Sequence, residues 1–311
     1  MGDVIHNLPI IHDIHSHLPD MEIDWLVEET FADIPAMHPG IENVISIAIR
    51  RWRKNLFKLQ TWQEIVGLRK RLKQTHYDLV LDTQGLIKSA LAARLANPPW
   101  HGYIRNSIRE PIAALFYTHS HTVSKNLHAV ARNRELAAKA LGYAIPQSPP
   151  EYGLDANLPV NGIELPERYV VGLHATSRDS KLWPETHWIA LGEQLVTRGL
   201  NLLLPWGSQQ ELARARRLAA KIPGAVVLPK LRIASLGNIL QGAHAAVGVD
   251  TGLVHLAVAL GVPTIAIYTD TDPGLTGTLA GAGAMAINLG GIHQTPGAAQ
   301  VMERLSMLRI F

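Results

Sequence analysis

The sequence predicts an α/β protein of two domains built on parallel sheets, and three observations carry that prediction. Short apolar runs alternate with helix-period segments along all 311 residues. Residues 245–268 read as strand, turn, helix and strand in succession, the crossover unit of a parallel sheet. Residues 144–166 hold five prolines and little periodicity, so a domain boundary belongs there, dividing the chain into 1–150 and 151–311.

In the first half the pattern predicts a helix over 3–17, strands over 23–28 and 44–49, and a helix over 60–73. A strand over 78–82, a helix over 86–95 and a long helix over 128–141 follow. Gly142 closes that helix, because glycine accepts the left-handed cap without a side-chain clash. The second half opens on an apolar strand, 169–175, and a helix over 185–199 with Pro184 near its first turn. Strands are expected over 202–204, 225–228, 245–249, 264–268 and 284–289, and a last helix over 297–308. Within 245–268 the helix should bury Leu253, Leu256, Ala257 and Leu260, and Gly261 and Pro263 end it.

Composition narrows the function. There is no cysteine, which excludes disulfides, thiolate catalysis and cysteine-ligated zinc. No run approaches the roughly 20 apolar residues of a membrane span, and the N-terminus lacks a signal-peptide pattern, so the expectation is a protein attached to a membrane at most by its surface. The formal net charge is +3. Its distribution says more: Arg50, Arg51, Arg53, Lys54 and Lys58 cluster, with Trp52, Leu56, Phe57 and Trp62 among them, and Lys70, Arg71 and Lys73 follow. Cations mixed with aromatics suit an anionic lipid surface or a phosphorylated, carboxylated acceptor. The same composition suits RNA, although no RRM or KH motif is present, and it equally suits a solvated loop and helix face.

Two strand-end loops carry polar chemistry. Asp250-Thr251-Gly252 opens the helix of the 245–268 crossover, where unsatisfied N–H groups and a partial positive charge favour an anion such as a diphosphate. Gly252 would let a ligand approach the backbone. An aspartate that merely caps the helix explains this turn alone equally well. After the 169–175 strand comes Thr176-Ser177-Arg178-Asp179-Ser180-Lys181-Leu182-Trp183-Pro184, rich in hydroxyls and cations suited to phosphate oxygens.

These loops, HATSRDSKLWP and VGVDTGLVHLAVALGVP, resemble the heptosyltransferases of the lipopolysaccharide core, glycosyltransferase family 9. So do TDPGL at 271–275 and MGDVIHNLP at the start. Type I members of that family also carry counterparts of IRRWRKN (49–55) and YDLVLDTQGLIKSA (77–90), so the resemblance runs in order over nearly the whole chain. It implies a GT-B fold of two facing Rossmann-like domains, the N-terminal one binding acceptor and the C-terminal one donor. The last helix would cross back toward the first domain. The resemblance further implies an inverting transfer of L-glycero-D-manno-heptose from ADP-heptose to Kdo-lipid A, at the cytoplasmic face of a Gram-negative inner membrane. Its partners would be that donor, that acceptor and the anionic membrane surface, with no nucleic acid, no cofactor and no metal.

The same resemblance distributes roles. Asp3 takes the position of the catalytic base; read from the residues alone it is the N-cap of the first helix. Thr176, Ser177 and Lys181 would meet the diphosphate with the backbone of Thr251 and Gly252, and Asp250 the heptose hydroxyls. Glu211 would bind the adenosine ribose, or else complement a helix dipole. His255, one turn into its helix, is a donor ligand or a packed residue. Arg50, Arg51, Arg53 and Lys54 would face the acceptor. His6, His12, His15 and His17 show no metal-ligand spacing and are expected to be solvated. Family members carry a short apolar strand before the MGD motif, so the reading expects that strand to be absent and its two neighbours in the N-terminal sheet to be unpaired. The rivals are a type II heptosyltransferase, differing in acceptor, and a nucleotide-sugar epimerase on the same fold.

Overall fold

The computed structural model describes all residues except 98, 158–161, 309 and 311, so part of the proline-rich boundary lies outside the described residues. The chain packs as two units. The smaller comprises His6–Ala32 and Gly40–Ser148; the larger comprises Met1–Ile5, Asp33–Pro39 and the chain from Pro149 onward. Two segments that precede residue 150 therefore pack with the second half of the sequence.

In the smaller unit, β1 (Asp24–Glu28) and β2 (Asn43–Ile47) pair in parallel. A second parallel sheet holds β3 (Val80–Leu81), β4 (Trp100–Tyr103) and β5 (His119–His121). Strands β1 and β3 are not hydrogen-bonded to each other; Tyr77, just before β3, donates its hydroxyl to Asp24 Oδ2 at 2.7 Å. The sequence pattern missed β4 and β5, because WHGY and HSH have neither the β-branched content nor the apolar alternation that marks a strand. Their pairing rests on tertiary context, with His101 opposite His119 and Tyr103 opposite His121.

The helix expected over 3–17 is two helices, Gly2–Ile5 and Pro9–His17. Pro9 has no N–H to donate and its ring crowds the carbonyl four residues back, so the helix restarts there. The break assigns Asp3 and Asp13 to different units. Asp13 is buried and receives two hydrogen bonds from Arg134, at 2.7 and 2.8 Å, on the Ala129–Leu141 helix. Gly142 ends that helix at φ +79°, as its sequence position demands. The strand expected over 44–49 stops at Ile47, and Ile49–Lys54 is helical. Among the four early histidines, His12 and His17 are exposed, but His6 is buried against His128, with ring centroids 5.7 Å apart. The expectation of solvation fails for His6 because it sits at the helix break, turned inward.

The larger unit is a six-stranded parallel sheet. Its strands are β6 (Tyr169–Leu173), β7 (Asn201–Leu204), β8 (Val226–Val227), β9 (Ala245–Val249), β10 (Thr264–Tyr268) and β11 (Ala286–Gly290), in the spatial order β11-β10-β9-β6-β7-β8. Strands β6, β9 and β10 are buried along their whole length, as central strands covered on both faces must be, which explains their continuous apolar sequences. Trp183 and Trp188 are fully buried with rings edge to face, centroids 5.1 Å apart. The final helix, Ala298–Met307, packs Val301, Met302 and Leu305 into this same core rather than leaving it. The helix Ile233–Gln241 lies outside the predicted elements; Asp33, from the 33–39 segment, accepts from its Ala234 N–H (3.3 Å) and from Arg232 (2.6 Å).

Chain order reverses between β9 and β6, since β7 and β8 extend the sheet one way from β6 and β10 and β11 the other. The carboxyl ends of strands beside such a switch point form a crevice where α/β proteins bind ligands.

Candidate active site

Three loops at the carboxyl ends of β6, β9 and β10 converge at that switch point. Thr176, after β6, donates its hydroxyl to the carbonyl of Asp250, after β9, at 3.0 Å. Lys181 Nζ lies 2.5 Å from Asp250 Oδ2, with both side chains mostly buried. Thr271, after β10, donates to the same oxygen at 2.7 Å. Thr269 donates to the carbonyl of Ser180 at 2.8 Å and so holds the short helical turn Asp179–Lys181. The sequence singled out the TDPGL motif without giving Thr271 a role, and Thr269 not at all. Their only signal was their position directly after an apolar strand.

The base of the Lys181 loop is anchored by packing. Trp183 Nε1 donates to the carbonyl of Pro296 at 2.7 Å, and Arg214 donates to the Trp183 carbonyl at 2.6 Å. Beside this anchor, at the end of β6, His174 is fully buried with neither ring nitrogen hydrogen-bonded to a side-chain partner. Burial, seconded by the Arg214 charge, pulls its pKa down to about 4. A lone histidine after an apolar strand carries no sequence signal, and it was missed.

Thr251 is the N-cap of the Gly252–Ala259 helix, in extended geometry, and its side chain makes no capping hydrogen bond, which leaves the first N–H groups without that partner. Ser177 is exposed at the rim. Gly252 serves a close approach from within the protein: a Cβ there would lie 2.5 Å from the Met1 side chain. The Gly2–Ile5 helix packs on Gly252–Ala259, and a Cβ on Gly2 would sit 3.7 Å from the ring of the buried His255. Asp3, half-buried, is thereby in the same unit as Lys181 and Asp250.

Glu211 makes a capping box. Its Oε2 accepts from the N–H groups of Gly207 (2.6 Å) and Ser208 (3.3 Å), while Ser208 Oγ accepts from the Glu211 N–H (3.3 Å). One of its oxygens is committed to the helix start.

The basic cluster is in the smaller unit and is not uniform. Arg51 bridges Glu29 (3.2 Å) and Glu64 (3.0 Å), and Trp52 Nε1 donates to Glu64 at 2.7 Å. Arg50 lies over the Phe31 ring at 5.3 Å, while Arg53 and Lys54 are exposed. Among the described residues Arg51 is the one of the four that is paired with carboxylates; Arg50, Arg53 and Lys54 keep their charge exposed. Among the described residues no group of three histidine or acidic side chains is placed to hold a metal ion.

The glycosyltransferase family 9 (heptosyltransferase) model matches residues 65–303. The chain belongs to glycosyltransferase family 9. The lipopolysaccharide heptosyltransferase 1 of Pseudomonas aeruginosa is 47% identical over 278 residues, covering 89% of this chain and 78% of its own. That of Escherichia coli K12 is 46% identical over 282 residues, covering 89% and 87%. The solved structure of E. coli heptosyltransferase WaaC with ADP superposes with a TM-score of 0.90 at 42% identity, covering 99% of this chain and 97% of its own. The E. coli heptosyltransferase II structure, at 20% identity and a TM-score of 0.75, shares the fold. The family 9 chain is thus a glycosyltransferase of the GT-B class, and the type II and epimerase readings are not favoured. Among its described residues no helix is long and apolar enough to cross a membrane.

Proposed function

We propose that this family 9 enzyme moves L-glycero-D-manno-heptose from ADP-heptose to Kdo-lipid A, with inversion at the anomeric carbon. The observation that carries the reading is the convergence of Lys181, Thr176 and Thr271 on Asp250 beside an uncapped helix mouth. A cation and backbone donors suit a diphosphate leaving group, and a fixed carboxylate suits sugar hydroxyls. The solved WaaC relative carries ADP, and a second structure of it carries ADP-2-deoxy-2-fluoro heptose, which supports this donor.

In the proposed step an acceptor hydroxyl oxygen bonds to C1 of the heptose as the bond from C1 to the β-phosphate oxygen breaks, and ADP departs. Asp3 takes the hydroxyl proton. Lys181 balances the charge that develops on the diphosphate, aided by Thr176, Ser177 and the N–H groups at Thr251 and Gly252. Asp250 orients the heptose, with Glu211 on the ribose and His255 lining the donor. Arg53 and Lys54, with Arg50, meet the anionic acceptor; Arg51 supports the loop through its two carboxylates. The lipid-borne acceptor brings the enzyme to the anionic cytoplasmic face of the inner membrane.

The test is ADP release from ADP-heptose in the presence of Kdo-lipid A. Asp3→Asn should retain ADP binding and lose turnover by about 100- to 10,000-fold, the range of general-base contributions. Release that requires an already heptosylated acceptor, or turnover that survives Asp3→Asn, overturns the acceptor or the base respectively.

A further inference from the structure

We propose that the exposed edge formed by Phe57, Leu59, Trp62 and Val66 is a bilayer-docking surface that inserts into the interface of an anionic membrane. The Leu59–Gln74 helix has two apolar stripes where one would suffice. Thr61 and Leu72 are buried, and half-buried Ile65 and Leu68 share their face, which is the stripe that holds the helix to its own unit. The opposite stripe starts with Leu59 (73% exposed), Trp62 (54%) and Val66 (63%), and Phe57, in the turn just before, is fully exposed. Four large apolar side chains contiguous in water are more than a monomeric surface normally carries, and such a patch marks a contact.

Charge identifies the occupant. At the same helical spacing the outer stripe continues Leu59, Trp62, Val66, Lys70, Lys73, so apolar side chains give way to exposed cations along one face. Arg53, Lys54 and Lys58 flank the other end of the patch. An apolar strip bracketed by lysines and arginines matches an acyl–headgroup boundary whose anionic headgroups lie on either side. A protein partner would need its own matching acidic rim on both ends; a bilayer with anionic lipids supplies it everywhere. The turn is rigid enough to present Phe57: Trp62 Nε1 donates to the Leu56 carbonyl at 2.8 Å and Thr61 Oγ1 to the Asn55 carbonyl at 2.9 Å. The inference rests on the reading that the acceptor is lipid-borne, and the assays below separate the two.

The measurement is partitioning of the full chain onto vesicles of phosphatidylcholine with and without phosphatidylglycerol, with Phe57→Ser/Leu59→Ser/Val66→Ser as the variant. These side chains are exposed, so the fold should survive, checked by an unchanged melting temperature. The wild type should bind the phosphatidylglycerol vesicles with Trp fluorescence quenched by brominated acyl chains, and the triple variant should bind at least about tenfold more weakly. Ile112→Ser/Leu115→Ser, on a different exposed apolar segment, is the control and should bind like wild type. Undiminished binding by the triple variant overturns the proposal, as does an equal loss in the control. A wild-type dimer that the triple variant dissociates, without vesicle binding, would instead assign the edge to a second copy of the chain. Activity on a water-soluble, deacylated acceptor should be equal in wild type and triple variant. If neither uses that acceptor while vesicle binding still depends on the edge, the activity reading fails and the docking surface stands.

Discussion

Lys181 and Thr271, 90 residues apart in sequence, donate to a single oxygen, Oδ2 of Asp250, at 2.5 and 2.7 Å. That shared oxygen ties the β6, β9 and β10 loops together. In the proposed reaction, a carboxylate and a cation already held in place need little reorganisation as the diphosphate leaves.

Lys181→Ala removes the cation and leaves Asp250 without its charge partner. A charge-assisted contact is worth about 1.5–3 kcal/mol, so kcat/KM for ADP-heptose should fall by one to two decades, read from initial rates. A wild-type value would take Lys181 out of the donor site.

Thr271→Val keeps the side-chain shape and deletes one neutral-to-charged hydrogen bond. Asp250 then loses a positional restraint and keeps its ion pair, so kcat should drop several-fold while ADP affinity, measured by calorimetry, stays within about twofold. An equal loss in ADP affinity would mean that Thr271 shapes the nucleotide site itself.

Glu211→Gln separates the two roles open to that residue. Glutamine can still close the capping box, so the melting temperature should hold. Loss of the charge that accepts from ribose hydroxyls should weaken ADP binding by about tenfold. Unchanged ADP affinity in this variant would leave Glu211 as a helix cap and nothing more.

Arg53→Ala/Lys54→Ala should raise the KM for acceptor by about tenfold and make it less salt-dependent, because these two cations have no protein carboxylate to satisfy. Arg51→Ala should act differently. It strips Glu29 and Glu64 of their partner, so the loop loosens and a protease-sensitivity assay should register the change. If Arg51→Ala alters acceptor KM as much as the double variant without loosening the loop, the four cations act as one set.

The His174 imidazole is neutral in the fold, its pKa depressed from 6.5 to about 4 by burial. Above pH 6.5 both folded and unfolded chains carry it neutral and its contribution is constant. Between about 6.5 and 4 the unfolded chain binds a proton that the folded chain refuses, so stability falls as pH falls through that window. The shift corresponds to at most about 3 kcal/mol. Urea titrations from pH 7 to pH 4 should show this slope, and His174→Gln should flatten it. A slope unaltered by that substitution would assign the acid sensitivity to other groups, His101 among them, whose pKa burial also lowers to about 4.

The larger unit was legible from sequence because burial on both faces forces continuous apolar strands, and β9 and β10 fall on the residues expected. The placement of Lys181 and Asp250 on strand-end loops was legible too, since strand ends before helix starts are where a parallel sheet presents polar groups. The His-rich strands β4 and β5 were not legible: two or three residues of pairing leave no period to read, and neighbours rather than propensity hold them in place. Tertiary structure alone decided three further matters. On either side of the Pro9 break, the Gly2–Ile5 helix with Asp3 packs on Gly252–Ala259 in the larger unit, while Asp13 pairs with Arg134 in the smaller one. Arg51, one of four similar cations in a row, was neutralised by carboxylates 22 and 13 residues away. Thr271 reached Asp250 across two adjacent strands. Local sequence sets which groups a segment carries and the period on which they repeat. Which group meets which depends on contacts between residues far apart in the chain, and those exist only once the sheets have closed.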